Sequence, residues 1–71
     1  MSILVREWLR RLGLYELTTH EDRVEIDREI EERTGVSCDE ALASGLITEE
    51  EFLRIVRSVL GRRRRKLAAI T

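Results

Sequence analysis

Proline is absent from the 71 residues, and cysteine occurs once, as Cys38. A single cysteine excludes an internal disulfide and is compatible with a reducing compartment. No apolar run approaches the roughly 18 residues a membrane span needs. The first stretch, MSILVREWLRRLG, lacks the long uncharged segment of a signal peptide, so the expected location is cytoplasmic. β-branched residues sit on helical spacing and no alternating run occurs, which leaves no strand signal. There are no repeats and no linker. No glycine-rich phosphate loop or nucleophile–base pair stands out, and so short a chain has little room to enclose a pocket. Neither an enzyme nor a bound cofactor is therefore expected. The lone His20 has no cysteine or second histidine at ligand spacing, so it reads as a surface or capping residue rather than a metal ligand.

With 38% charged and 42% hydrophobic residues, the chain is too apolar for disorder and suits a compact helical domain. Its length implies a single domain with a core near the lower limit for folding without staples. The net charge of −1 conceals a strong segregation. Residues 1–15 sum to +2, residues 16–51 to −10 and residues 52–71 to +7. A molecule with an acidic middle and a basic end can attract a copy of itself.

Apolar spacing and punctuation predict four or five short helices. Ser2 is a candidate N-cap, and Val5, Trp8, Leu9 and Leu12 form one stripe that Gly13 ends. Trp8, the largest apolar side chain, is expected to anchor the core. Tyr15 to Thr19 is a connector or a short helical turn, with Thr18 and Thr19 placed to cap the next helix. That helix is predicted over His20 to Thr34. It has a narrow stripe of Val24, Ile26 and Ile30, i,i+4 pairs Arg28–Glu32 and Glu29–Arg33, and Gly35 as its C-terminal stop. Ser37-Cys38-Asp39-Glu40 reads as a capping box for a short helix that Gly45 closes.

The last third, Ile47 to Ile70, holds the clearest helix start. Thr48-Glu49-Glu50-Glu51 is a second capping box, and Ile47 and Phe52 stand at the positions of a hydrophobic staple. Phe52, Ile55, Val56, Val59 and Leu60 continue one apolar face. After Gly61 come Arg62, Arg63, Arg64, Arg65 and Lys66, and the stripe resumes at Leu67 and Ile70. A straight helix would put Arg63 on the buried stripe, four residues after Val59. The expectation is therefore a helix from about Thr48 to Leu60, a break or bend at Gly61, and a second helix beyond it. The second helix would open on cations that oppose its own dipole, which points to an acidic partner for them.

Three motifs bear on function. Glu40, Leu42, Ser44, Gly45, Ile47 and Glu51 align with an EF-hand loop, but an apolar residue at a ligand position leaves too few oxygens for calcium. Residues Glu32 to Gly45 resemble the turn and second helix of a helix-turn-helix domain. The would-be reading helix carries Asp39 and Glu40 and no cation, so DNA phosphates would repel it. The run Arg62–Lys66 could still grip a phosphate backbone, which keeps a small nucleic-acid-binding regulator as the alternative reading.

The broader likeness lies in two segments. The Trp8-Leu9 pair with Leu12-Gly13-Leu14 after it, and then Ile26-Asp27, resemble the first part of a SAM (sterile alpha motif) domain. Thr48 to Phe52 and Leu60-Gly61-Arg62-Arg63 resemble its last two helices. The segment from Arg28 to Gly45 is longer than the family's usual link, and Arg62 replaces a histidine. An unrelated short hairpin domain is the competing structural reading.

The resemblance implies an all-α, five-helix interaction module, one that in many members associates head to tail. An acidic mid-domain surface then meets the basic start of the final helix. The basic face would comprise Arg62, Arg63, Arg64, Arg65 and Lys66, and the acidic face Glu29, Glu31, Glu32, Asp39 and Glu40. The partner would be a protein, and most simply a second copy in a homo-oligomer. An apolar centre would come from Leu42, Leu46 or Leu60.

Overall fold

The computed structural model describes the backbone of residues 3–70 and the side chains of residues 3–63. Ser2, and the side chains of Arg64, Arg65, Lys66, Leu67 and Ile70, lie outside the described residues. The fold is all-α. Among the described residues four helices, α1 (Ile3–Arg11), α2 (His20–Thr34), α3 (Cys38–Ser44) and α4 (Glu49–Ile70), are joined by tight turns, with a 3-10 turn at Tyr15–Leu17. α2 packs on both α3 and α4, and α1 packs on α3.

Local chemistry sets the boundaries. Thr19 caps α2: its hydroxyl accepts the Asp22 N–H at 3.2 Å while Asp22 Oδ2 accepts the Thr19 N–H at 2.9 Å. Ser37 accepts the Glu40 N–H at the start of α3, and Thr48 accepts the Glu51 N–H at the start of α4. Gly13 ends α1 in the left-handed region at φ 73°, where the Leu14 N–H reaches Leu9 O at 2.8 Å and the Gly13 N–H reaches Arg10 O at 3.1 Å. This pairing uses two carbonyls that α1 itself leaves unpaired and directs Leu14 back onto the core. Gly35 closes α2 in the same region at φ 75°.

The core is one cluster. Val5 and Leu9 from α1, Ile26 and Ile30 from α2, Cys38, Ala41 and Leu42 from α3, and Phe52, Ile55, Val56 and Val59 from α4 are all buried, with Ile47 beside them. Ile47 and Phe52 thus bury together as the staple spacing requires. Phe52, rather than Trp8, is the anchor: it is the largest fully buried side chain. Trp8 lies at the margin, its ring edge-on to Phe52 at 5.3 Å, with the Arg11 guanidinium over it at 5.1 Å. Placing the indole there lets the longer ring cover the core while Arg11 covers the ring. Val24 remains 39% exposed, so the α2 stripe narrows to Ile26 and Ile30.

The expected break at Gly61 does not occur. α4 is one helix of 22 residues, about 33 Å long at 1.5 Å per residue, and Gly61 is not among the glycines with positive φ. The conflict that suggested a break is resolved by pairing. Arg63 does fall on the inward side, and a carboxylate and a carbonyl are waiting for it there. Of the two i,i+4 pairs expected on α2, Glu29–Arg33 approaches to 4.0 Å, whereas Arg28–Glu32 does not close to ion-pair distance.

Phe52→Ala should destabilise the domain by about 3–5 kcal/mol in urea unfolding, the loss typical of an emptied aromatic core site. Gly35→Ala should cost about 1–2 kcal/mol through backbone strain alone, because an added Cβ would meet no atom within 4 Å.

Candidate interaction surface

Two features of α2 position the charged side chains that sequence singled out. Its capping box points Asp22 inward, and the i,i+4 spacing of Glu25 and Glu29 places both on the side facing α4. Asp22 is 5% exposed. Its Oδ2 takes both the Thr19 N–H and Arg63 Nη1, the latter at 2.5 Å. Arg63 Nη2 donates to the Leu17 carbonyl at 3.4 Å, so one guanidinium ties α4 to the 3-10 turn and to the first turn of α2. An Asp–Arg contact this short and this sheltered is charge-assisted and stronger than a surface pair.

Arg62, one residue earlier, reaches Glu29 Oε1 at 2.5 Å and Glu25 Oε2 at 3.5 Å. The hydrogen bond from Arg62 to Glu29 raises the guanidinium above its ordinary pKa, against some desolvation, with Glu29, Glu25 and Glu32 adding electrostatic support. A small cleft lined by Glu21, Asp22, Glu25, Val59, Arg62 and Arg63 marks where the helices meet.

Three of the ten residues expected at the partner interface thus engage one another, or α2, within the same molecule: Arg62, Arg63 and Glu29. Their pairing removes two described cations from the proposed basic face. Arg64, Arg65 and Lys66 come next on the same helix. On the acidic side, Asp39 accepts the Leu4 N–H at 3.1 Å and so holds the first turn of α1. Glu31, Glu32 and Glu40 are exposed, and among the described residues no cation lies within ion-pair distance of them. Of the three apolar candidates, Leu42 is buried, Leu60 packs partly against the core, and Leu46 is 54% exposed.

Sequence reasoning missed Asp22 and Glu25. The Thr19-x-x-Asp22 spacing is itself a capping-box signature, and an inward carboxylate beside an α4 stripe that ran into Arg63 was the signal that could have paired them. It also missed the cluster at Tyr15. There Arg23 donates Nη1 to the phenol oxygen at 3.0 Å, Nη2 to Thr18 O at 2.9 Å and Nε to Thr18 Oγ1 at 3.2 Å. The Arg23 and Arg10 guanidiniums lie 4.2 and 4.7 Å from the Tyr15 ring centroid.

Among the described residues no group of three or more His, Cys, Asp or Glu side chains could hold a metal ion, and no helix is long and apolar enough to cross a membrane. No protein-family model, curated protein or solved structure matches this chain.

A double-mutant cycle on Asp22→Asn and Arg63→Met should give a coupling of about 1.5–3 kcal/mol in urea unfolding, as for a sheltered hydrogen bond between charged groups. The same cycle on Arg11 and Glu49, a 3.5 Å pair with both side chains more than half exposed, should give about 0–1 kcal/mol.

Proposed function

We propose that this domain is a non-enzymatic protein–protein interaction module that self-associates head to tail. Its acidic α2–α3 surface docks on the cationic end of a second copy. One observation carries this reading: Glu31 and Glu40 stand exposed and enter no ion pair among the described residues, while Arg62 and Arg63 are held on other carboxylates of α2. Exposed carboxylates without a cation beside them are a local cost that a cationic partner relieves. Exposed Leu46, beside α3, supplies apolar contact, since rim ion pairs alone are worth about 0–1 kcal/mol each. The cationic counterpart includes Arg64, Arg65 and Lys66, and the likeness to SAM domains supports a head-to-tail arrangement. Because the two surfaces differ, the contact is heterologous and extends into chains of copies.

Nucleic-acid binding through Arg62–Lys66 is the weaker reading. Arg62 and Arg63 already have carboxylate partners, and Glu21 and Glu25 line the same cleft, where they would repel phosphate.

Light scattering should show mass rising with concentration at low salt and falling toward the monomer at high salt. Reversing Glu31, Glu32 and Glu40 together to Arg should abolish assembly while leaving helicity intact. A wild-type chain that stays monomeric at millimolar concentration would refute self-association. Submicromolar, steeply salt-dependent binding to duplex DNA would favour the nucleic-acid reading instead.

A further inference from the structure

We infer that the 3-10 turn at Tyr15–Leu17 is a strap latched by charge: Arg63 of α4 holds it down, and drawing Arg63 off Asp22 releases it while the core stays folded. Such a latch operates within a single molecule and needs no second copy. Burial does not hold the turn. None of its residues is buried, and Leu17 is 59% exposed. Leu14 and Tyr15 pack only partly against the core. Its own backbone bonds run from the Leu17 N–H to Leu14 O at 3.0 Å and from the Thr18 N–H to Tyr15 O at 3.2 Å. A 3-10 turn makes such bonds with poorer geometry than an α-helix does.

Among the described residues, the side-chain hydrogen bonds that reach residues 15–18 from other elements come from two arginines, Arg23 and Arg63. Arg23 lies one turn into α2 and donates to the Tyr15 phenol oxygen, Thr18 O and Thr18 Oγ1. It is a local clip, since it travels with the helix that the turn leads into. Arg63 is 46 positions from Leu17. Its Nη2 donates to the Leu17 carbonyl at 3.4 Å while Nη1 donates to Asp22 Oδ2 at 2.5 Å. The same Asp22 oxygen accepts the Thr19 N–H at 2.9 Å, so residues 17–19 and the first turn of α2 share one cation from α4.

The two grips of Arg63 differ in strength. The bond to Asp22 is sheltered and charge-assisted, whereas the bond to Leu17 is long and reaches an exposed carbonyl. Asp22 thus sets where the guanidinium sits, and the Leu17 carbonyl follows it. Any contact that draws Arg63 outward removes a partner from the carbonyl and from Asp22 together. Water readily replaces the partner of a surface carbonyl, so the turn opens locally while the core, to which it contributes no buried residue, stays closed. Release uncovers Thr18 and Asp22, both buried when the strap is latched. α4 continues past the latch into Arg64, Arg65 and Lys66, so a partner that pulls on that end of the helix also opens the turn.

Native-state hydrogen exchange followed by NMR tests the latch at the Leu17, Thr18 and Thr19 amides, with the Val56 amide on the buried face of α4 as reference. Arg63→Met should speed exchange at these amides at least ~tenfold more than at Val56. Arg63→Lys keeps a charge for Asp22 but lacks the fork that also reaches Leu17. It should speed exchange at Leu17 and Thr18 several-fold, with Val56 little changed. Arg62→Met breaks the neighbouring contacts with Glu25 and Glu29 and should leave the turn within about threefold of wild type. If Arg63→Met speeds the turn no more than Val56, or if Arg62→Met opens it as far as Arg63→Met does, Arg63 is not the latch. Should Arg63→Met fail to fold, an Arg63→Lys chain whose turn amides exchange as in wild type overturns the latch equally.

Discussion

A carboxylate that is almost out of water must satisfy all its neighbours at once, and Asp22 occupies that position. It satisfies the free backbone N–H of Thr19, and the same oxygen receives Arg63 from the far end of the chain. Removing either contact would leave a sheltered charge with too little compensation, which is more costly than the contact itself is favourable. Much of the geometry depends on this one group. Arg63 can lie on the inward side of α4, so α4 has no reason to bend at Gly61. With α4 straight, Arg62 comes over Glu25 and Glu29. The 3-10 turn is drawn in by its Leu17 carbonyl, and that turn carries Tyr15 to the side of Arg23.

The distribution of charge is consequently different from the distribution along the chain. Read linearly, an acidic belt faces a basic tail. In three dimensions part of the tail already rests on the first half of the belt, at Asp22, Glu25 and Glu29. Glu31 on the second half of the belt and Glu40 at the start of α3 enter no ion pair among the described residues, whereas Glu32 adds support to Arg62. In the proposed self-association, attraction between copies would use the acids that the molecule leaves over and the cations that do not fold back. Arg10 at Tyr15 is one such cation, since an aromatic face orients a guanidinium without neutralising it.

Some of this was legible in sequence because it is governed by residues within one turn of each other. The α2 range, His20 to Thr34, is set by Thr19 before it and Gly35 after it. The α3 start is set by Ser37, and the α4 start by Thr48 with Ile47 and Phe52 bracketing it. The features that were not legible depended on partners far apart in the chain. Arg63 and Asp22 are separated by 41 positions, and the capping-box spacing that marks Asp22 does not by itself say which cation packs opposite it. Phe52 displaced Trp8 at the centre for a similar reason. The larger ring covers more surface from the edge, and the choice between centre and edge is made by the volume that neighbouring helices leave.

By itself, then, the amino-acid sequence determined an all-helical chain, where its helices begin, three of the glycines that turn it, and which side chains can be buried. These are decided by hydrogen bonds and steric limits between residues close in sequence. Only the tertiary structure decided that the last helix is unbroken, which arginines are spent on α2, and which carboxylates remain facing outward. Those outcomes depend on distances between groups that the chain brings together only when the helices pack, because a charge seeks the nearest opposite charge in space and not along the backbone.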